Sequence, residues 1–379
     1  MPHPDCSTAR ISLLIGQKYH GGVLAAPWPV FAILATKMGG NFLGGRQYSI
    51  LLRGIRKGNS SMNSSVISQN NSADIRRSQL RLAEYQVNRV LLGKGDKVRL
   101  AFCCLLARGH LLIEDVPGVG KTTLAHALAR VIGSTYQRIQ FTSDMLPADI
   151  LGVSIYKRDK EVFEFHPGPI FSQVILADEI NRATPKTQSA LLEGMAEGQV
   201  TIENHTHRLP QPFFVLATQN PLDLVGTFPL PDSQLDRFLL SITLGFPEPK
   251  AERELLTTQD RAGMLQELDT RLSPQDMMAL QADCDGVHVS ADLLDYIQAL
   301  LAETRNEQWF ESGLSPRAGL ALLRVSRACA FLDGRNFVTP EDVKQVFPAL
   351  ARHRLNTTSG FNQTPDEQIA DLLNQLPIP

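Results

Sequence analysis

The order of apolar and polar residues along the chain predicts an α/β core. Apolar positions between 80 and 91 share one helical face, and a second helical pattern covers about 96–107. Five short apolar runs follow, at 111–113, 138–141, 174–177, 213–218 and 240–244. Helical patterns separate several of these runs, which is typical of a parallel sheet covered by helices. Ligands of such sheets bind at the carboxyl ends of the strands.

The pattern changes after residue 245, where only helical periodicity remains. The sequence GFPEP at 245–249 is typical of a linker, and two later segments begin with Ser-Pro or Thr-Pro, which favours a helix start. We therefore predict an αβα core over 76–246, a small helical domain over 250–355 and a tail over 356–379. The helices of these last parts are expected at 251–259, 273–281, 291–303, 315–332, 339–347 and 367–376.

Residues 1–61 differ in composition from the rest of the chain. They contain seven Lys or Arg residues against a single acidic residue, together with nine glycines. Two prolines interrupt the apolar patch at 23–35, and a signal peptide there would have an unusually long basic region before it. We leave residues 1–75 unassigned and expect a disordered segment or untranslated sequence, with translation starting at or near Met62.

Length and composition indicate folded domains in a reducing compartment. The 379 residues are 43% hydrophobic and 20% charged, which is typical of globular proteins. The five cysteines form no C-x-x-C pair, so neither a disulfide framework nor a zinc site is indicated, and the cytoplasm is the simplest location. No run of 18 apolar residues predicts a transmembrane helix. A net charge of −2 does not suggest a dedicated nucleic-acid binder.

A phosphate-binding loop is predicted by the sequence LLIEDVPGVGKTTL at 111–124. A short strand is followed by a Pro/Gly turn and a helix, and Gly118 and Gly120 allow the backbone to approach a phosphate. Lys121 is placed to reach the outer phosphates, and Thr122 offers a hydroxyl to Mg²⁺. A cation at a helix N-terminus is unfavourable unless an anion lies beside it.

The loop departs from the general G-x-x-x-x-G-K-[ST] pattern at one position, because Asp115 replaces the first glycine. An ordinary strand–turn–helix junction is the alternative interpretation. The apolar spacing of the following helix favours nucleotide binding. We expect the nucleotide to contact Pro117, Gly118, Val119, Gly120, Lys121, Thr122 and Thr123.

Two adjacent carboxylates end the apolar run in VILADEINR at 174–182. Acids at the end of a buried strand are costly unless a cation or water uses them. Beside a phosphate loop, Asp178 is expected to hold Mg²⁺, directly or through water, and Glu179 to act as the general base on the attacking water. Exposed strand-end acids without a function are the alternative.

Weaker signals occur at three further places. Asn220 follows the apolar run FFVLATQ and could orient the attacking water, although Asn after a strand is most often a turn residue. Arg317 stands at a helix start, where its charge opposes the dipole, and this suggests an anion partner rather than simple solvation. His205 and His207 share one face of a strand, so a metal site is conceivable, but a solvated hairpin tip is the favoured interpretation.

From about 85 to 355, roughly seven-tenths of its length, the chain resembles the MoxR family of AAA+ ATPases. The stretches that carry the resemblance are HLLIEDVPGVGKTTLA (110–125), FTSDMLPADILG (141–152), FHPGPIFSQVILADEINRATPKTQSALLEGMAEGQVTI (165–202), LATQNPLDLVGTFPLPDSQLDRF (216–238) and SPRA (315–318). The resemblance implies a five-stranded parallel core, a helical lid, ATP and Mg²⁺ at their boundary, and a ring that usually has six subunits.

The resemblance also assigns roles to single residues. The family's Walker A, Walker B, sensor 1, arginine finger and sensor 2 fall on Lys121/Thr122, Asp178/Glu179, Asn220, Arg237 and Arg317. We expect Arg237 to act on the ATP of a neighbouring subunit, and Arg317 to reach the chain's own site through the lid. The segments 141–170 and 198–212 resemble inserts that face the ring pore.

Members of this family are thought to remodel protein clients, often during metal or cofactor maturation, and proteins with von Willebrand A domains are frequent partners. A helicase-like nucleic-acid motor is the main alternative, and the segment 198–212 argues against it because it holds one Arg, no Lys and one acid. A P-loop kinase or GTPase is a third possibility. It would lack an N-K-x-D signature and would leave Asn220, Arg237 and Arg317 without a common purpose.

Overall fold

The computed structural model describes residues 63–222, 225–257, 261–306, 309–356 and 363–377, with side chains from residue 73 onwards except at 261 and 262. The expectations for residues 1–61 and for a start at Met62 lie outside this part. The described chain opens with helices α1 (Asn63–Val90) and α2 (Gly95–Leu106). Their apolar faces are buried, as the helical spacing predicts.

The core alternates strands and helices. In chain order it contains β1 (Leu111–Glu114), α3 (Lys121–Val131), β2 (Tyr136–Gln140), α4 (Pro147–Leu151), β3 (Gly152–Lys157), β4 (Val162–Pro167), β5 (Val174–Asp178), α5 (Pro185–Glu197), β6 (Gln199–Ile202), β7 (His205–Arg208), β8 (Phe214–Gln219), α6 (Asp232–Leu235) and β9 (Leu240–Ile242). Five of the strands form one parallel sheet in the order β2–β5–β8–β1–β9. This confirms the predicted fold class, with all five strands in the predicted places.

The register of the sheet brings the predicted site together. Strand β8 lies between β5 and β1, with Ala177 opposite Ala217 and Ile113 opposite Thr218. The segments that follow β1, β5 and β8 therefore leave the sheet at the same edge. Strand β5 is buried along its whole length because helices cover both faces of the sheet, which explains its continuous apolar sequence.

Two short antiparallel hairpins project from the core. Strands β3 and β4 pair from Gly152–Pro167 to Lys157–Val162, and β6 pairs with β7. The β3–β4 hairpin exposes much of its apolar surface, including Phe163, which is 69% exposed.

The second domain is helical, as predicted. It contains α7 (Pro249–Thr257), α8 (Arg261–Gln266), α9 (Pro274–Asp285), α10 (Ala291–Thr304), α11 (Pro316–Leu332), α12 (Pro340–Ala351) and α13 (Pro365–Gln375). Several begin as the sequence predicts. The Ser273 hydroxyl accepts from the Asp276 N–H, and the Ser315 hydroxyl accepts from the Ala318 N–H. Helix α8 was not predicted.

The helical domain packs against helix α2 of the core. Buried residues of α1, α2, the sheet and helices α9 to α12 form one continuous apolar cluster. Polar contacts cross the same boundary: Gln281 donates to the Leu105 carbonyl at 2.8 Å, and Arg99 pairs with Asp333 at 2.6 Å. Among the described helices, none is both long and apolar enough to cross a membrane.

Candidate nucleotide-binding site

The loop after β1 has the geometry of a phosphate cradle. Gly118 and Gly120 have φ values of 85° and 104°, which residues with a Cβ rarely adopt. A Cβ at Gly120 would also lie 2.9 Å from the Leu91 side chain. Lys121, at the start of α3, is buried, and its ammonium group donates to the Asp115 carbonyl at 2.8 Å. The lysine is therefore held across the loop, at the positive end of a helix.

The contacts of Asp115 explain why this residue replaces the first glycine of the general loop pattern. Its carboxylate accepts from the N–H of Val116 at 2.8 Å and from the N–H of Gly245 at 2.6 Å. Gly245 begins the linker to the helical domain. A glycine at position 115 could not make this contact, so the departure connects the phosphate loop with the linker.

The two carboxylates after β5 lie in the same pocket as the loop. This pocket has a volume of about 350 Å³, and it is lined by Pro117, Gly118, Gly120, Lys121, Thr122, Thr123, Arg138, Gln140, Asp178 and Glu179. Asp178 is 8% exposed and accepts hydrogen bonds from Arg138 and Thr218, both at 2.6 Å. The structure thus brings together the predicted phosphate ligands, the predicted metal ligands and the predicted base.

Sequence reasoning missed two polar residues that line this pocket and one beside it. Arg138 and Gln140 lie in β2 and line the pocket, and Gln140 donates to the Glu179 carboxylate at 2.9 Å. Thr218, in β8, donates to Asp178 and accepts from the N–H of Glu179 at 2.9 Å. All three lie on strands beside β5, so only the strand order reveals their role.

Glu179 has a left-handed backbone with φ of 57°, which is unusual for a residue with a Cβ. This conformation turns the chain directly after β5 and starts the short helix Ile180–Arg182. The Glu179 carboxylate is bound by Gln140 and by Arg182, the latter at 2.9 Å. Strain of this kind persists where the surrounding contacts fix the residue, and it is common at functional sites.

A second, more apolar pocket of about 420 Å³ adjoins the phosphate pocket. The two share Gly118, Gly120 and Thr123. Its apolar wall comes from the residues after α1, the phosphate loop, the linker and α7, and consists of Leu91, Leu92, Val119, Phe246, Pro247, Leu255 and Leu256. A nucleobase is a flat group with an apolar face, so this wall suits the base of a nucleotide whose phosphates lie on the loop. No pattern in the sequence predicts this wall, because its residues come from four separate stretches of the chain.

Asn220 follows β8 and therefore stands between the segments after β5 and β1. Its side-chain oxygen accepts from the N–H of Leu222 at 3.1 Å, which is the geometry of a turn residue. The position agrees with the predicted role, while the hydrogen bond agrees with the plainer interpretation.

Arg237 and Arg317 lie away from the phosphate pocket. Arg237 precedes β9 and donates to the Leu192 carbonyl at 2.9 Å, whereas the phosphate loop follows the adjacent parallel strand β1. Arg237 and the phosphate loop therefore lie at opposite ends of the sheet. Arg317 lies 3.9 Å from Asp236, and both arginines line a pocket of about 230 Å³ that shares no residue with the phosphate pocket. The expectation that Arg317 reaches the chain's own site is not supported by this geometry.

Comparison with known proteins agrees with this site. Residues 110–240 match the model described as the ATPase family associated with various cellular activities, and residues 302–374 match the AAA lid domain. Chaperone MoxR1 of Mycobacterium tuberculosis is 41% identical over 292 residues, which cover 74% of this chain and 76% of that protein. The chain belongs to the MoxR family of AAA+ ATPases. This confirms the family that the sequence motifs indicate.

Two further matches have similar extent. Protein YeaC of Bacillus subtilis is 45% identical over 269 residues, covering 71% of this chain and 84% of that protein. A crystal structure of a candidate ATPase from Cytophaga hutchinsonii superimposes with a TM-score of 0.75 at 34% identity, covering 83% of this chain and 99% of that one. The core and the helical domain of this MoxR-family chain therefore follow an established architecture.

The two hairpins of this MoxR-family chain contact each other through aromatic rings. His207 of β7 stacks on Phe165 of β4, with ring centroids 4.3 Å apart, and meets Phe171 edge-on. His207 is half-buried, while His205 is exposed. Among the described residues no group of three or more His, Cys, Asp or Glu side chains is arranged to hold a metal ion. The pair is thus one stacked ring and one exposed ring at the hairpin end.

Proposed function

We propose that the chain binds Mg²⁺ and ATP and hydrolyses the ATP to ADP and phosphate. The observation that carries this proposal is the convergence of Lys121, Thr122, Asp178 and Glu179 on one pocket that continues into an apolar pocket of suitable size for a base. An ATPase family and an ATP-sized pair of pockets support the same activity.

The residues present fit a bound Mg²⁺. The Thr122 hydroxyl and the Asp178 carboxylate line the same pocket, and hard oxygen ligands of this kind are those that Mg²⁺ prefers. When bound, the ion would neutralise charge on the phosphates. Arg138 pairs with Asp178 at 2.6 Å and so holds this side chain in place in the pocket.

Each protein group has a definite task in the hydrolysis. Lys121 and the loop N–H groups bind the outer phosphates, and Glu179 takes the proton of the attacking water. Thr218 fixes the Glu179 backbone and the Asp178 carboxylate at once, so one hydroxyl sets the distance between base and metal ligand. Asn220 follows β8, the strand next to β5, and its proposed task is to orient the water.

We further propose that Arg237 and Arg317 serve the ATP of a neighbouring subunit in a ring, with six subunits as the expected number. Strand β1 has four residues, so about 13 Å of sheet separates its two ends. Two arginines at the end remote from the phosphate loop fit a neighbour's triphosphate better than the chain's own. An arginine supplied in this way raises the rate by roughly 10³-fold or more.

We propose that ATP hydrolysis drives the remodelling of a protein client. The matching MoxR1 protein is named a chaperone. Ile155, Tyr156 and Phe163 of the β3–β4 hairpin are exposed, and so is Leu146 beside the hairpin. An exposed apolar surface of this kind suits binding of an unfolded or loosely folded polypeptide. A protein with a von Willebrand A domain that is being matured with a metal or cofactor is the proposed client class.

The charges of the same hairpin argue against the nucleic-acid motor. Its basic residues Lys157, Arg158 and Lys160 alternate with Asp159, Glu161 and Glu164. Lys157 pairs with Glu164 at 2.6 Å, so one positive charge is already neutralised. A track for a phosphate backbone needs a surplus of positive charge, and this hairpin has none.

The experiment combines hydrolysis with client binding. Purified full-length chain should release phosphate from Mg²⁺-ATP, and Glu179→Gln should retain a von Willebrand A domain protein from the same genome in ATP but not in ADP. Phe163→Ser should lose that retention, whereas Leu320→Ser, which changes a similarly exposed apolar residue on α11, should keep it. Absence of phosphate release would overturn the ATPase. Salt-dependent DNA binding without client retention would favour the nucleic-acid motor.

A further inference from the structure

The segment that carries Arg237 is held by His353 and Arg354, which lie just after helix α12 in the helical domain. Residues 236–239 join α6 to β9, and two core contacts hold them: the Leu239 N–H donates to the His110 carbonyl at 2.8 Å, and the Arg237 side chain donates to the Leu192 carbonyl at 2.9 Å. The carbonyl groups on both sides of Arg237 instead accept hydrogen bonds from His353 and Arg354.

Arg354 makes most of these contacts. Its guanidinium donates to the carbonyl of Phe238 at 2.6 Å, of Leu239 at 3.2 Å and of Asp236 at 3.3 Å. Its Nε also donates to the Asp236 carboxylate at 2.7 Å, and the side chain is only 8% exposed. A planar guanidinium with five N–H groups can hold several acceptors in one fixed arrangement, which the single ammonium group of lysine cannot.

His353 adds a second contact to the same segment. Its Nε2 lies 3.1 Å from the Phe238 carbonyl, and because a carbonyl only accepts, Nε2 must carry the proton. Burial lowers the pKa of His353 well below its ordinary value, and the nearby Arg354 lowers it further, so the ring is neutral. A neutral ring with a fixed tautomer is a stable donor at this position.

Asp236 connects Arg354 to Arg317. One of its carboxylate oxygens accepts from Arg354, and the other faces Arg317 at 3.9 Å. Arg237, Arg317 and Arg354 therefore line one pocket, with Asp236 among them. Two of these residues come from the helical domain and two from the core.

We infer that Arg354 and His353 are positioning residues for Arg237: they bind the backbone on both sides of it, so that a movement of the helical domain moves Arg237 relative to the neighbouring subunit's ATP. The inference rests on the proposed role of Arg237 at the neighbour's site. It predicts that His353 and Arg354 are needed in the subunit that supplies Arg237. They are not needed in the subunit that supplies the ATP site.

The test uses mixed rings of two full-length variants. Arg237→Ala subunits keep an intact ATP site, and Glu179→Gln subunits keep an intact Arg237, so a mixture hydrolyses ATP only across the subunit boundary. Arg354→Lys is then added either to the Glu179→Gln subunit, which supplies Arg237, or to the Arg237→Ala subunit, which does not. The total ATPase rate and the KM for ATP are measured for both placements.

A loss confined to the first placement supports the inference. An Arg displaced by about 1 Å costs roughly 10- to 100-fold in rate, with KM unchanged because the ATP site itself is intact. In the second placement the rate should stay within about twofold. Equal losses in both placements would show a purely structural role and overturn the inference, and so would no loss in either.

His353 supplies a second pair of variants in case Arg354→Lys does not fold. His353→Gln keeps a side-chain N–H donor and should retain the mixed-ring rate, whereas His353→Leu removes the donor and should lower the rate only in the subunit that supplies Arg237. Equal mixed-ring ATPase rates for His353→Gln and His353→Leu would overturn the inference. Mixed rings that are inactive without any change at 353 or 354 would instead refute the role of Arg237 itself, and the inference with it.

Discussion

The Asp115 carboxylate accepts a hydrogen bond from the backbone N–H of Gly245 at 2.6 Å. This contact joins the first residue of the phosphate loop to the first residue of the linker between the two domains. Asp115 is 5% exposed, and its backbone carbonyl also binds the Lys121 ammonium group. The residue that departs from the general loop pattern thus contacts both the phosphate loop and the linker that leads to the helical domain.

Asp115→Gly, which restores the general pattern, should destabilise the protein. It leaves the N–H groups of Val116 and Gly245 without their acceptor, at a cost of about 1–3 kcal/mol in the free energy of unfolding. Asp115→Asn keeps one acceptor oxygen and should cost less. Chemical denaturation measures both, and a glycine variant as stable as the parent would contradict the structural role.

Lys121→Ala and Glu179→Gln should separate binding from turnover. The first removes the cation that faces the outer phosphates, so ATP affinity should fall by about 100-fold or be lost. The second keeps the shape of the base but not its charge, so ATP should bind while hydrolysis falls by roughly 10²–10⁴-fold. Calorimetric titration and phosphate release measure the two effects. Parental rates in both variants would show that the site is wrongly assigned.

The apolar wall predicts a change that affects ATP and ADP alike. Phe246 is 78% exposed and lines the pocket assigned to the base. Phe246→Ala should weaken both nucleotides about tenfold, since both carry the same base, and leave the rate at saturation unchanged. Phe337→Ala removes an exposed phenylalanine from a surface outside both pockets and serves as the matched control. A loss for ATP alone would place Phe246 near the terminal phosphate instead.

Two buried histidines predict a loss of stability in acid. Burial lowers the pKa of His110 to about 4, where its ring bridges Met195 and Val215 as a neutral group. The unfolded chain binds more protons between pH 6.5 and 4, so stability is complete above pH 6.5 and falls as the pH drops through this window. His110 contributes on the order of 3 kcal/mol to this loss, and His353 adds to it.

His110→Gln tests this assignment. The amide keeps one donor and one acceptor but does not titrate, so the fall in the free energy of unfolding between pH 6.5 and 4 should become smaller. Denaturant titrations at several pH values provide the measurement. An unchanged slope would show that His110 does not titrate in this window.

Much of the fold follows from local signals in the sequence. The apolar run at 174–177 becomes a fully buried strand, and the Ser-Pro pair at 315–316 begins a helix, because each depends on neighbours in the chain. Asp178 and Lys121 were predicted to share a pocket because strand ends of a parallel sheet meet at one edge.

The remaining features depend on contacts between distant segments. Arg138 reaches Asp178 because β2 pairs with β5, and Asp115 reaches Gly245 across 130 positions of sequence. The position of Arg317 depends on how the helical domain packs, and no spacing in the sequence encodes that packing. Local patterns identify chemistry on a strand end, but only the assembled sheet and domain contacts show which groups share it.

In the proposed ring, Arg237 of a neighbouring subunit completes each ATP site. Arg237→Ala alone should bind ATP yet hydrolyse it roughly 10³-fold more slowly, and Glu179→Gln alone should be inactive. The most direct measurement is the ATPase rate of rings mixed from these two variants, with co-assembly verified by differently tagged subunits. We expect the mixture to regain a clear fraction of parental activity. Full activity of Arg237→Ala alone, or an inactive mixture whose rings demonstrably contain both subunits, would contradict it.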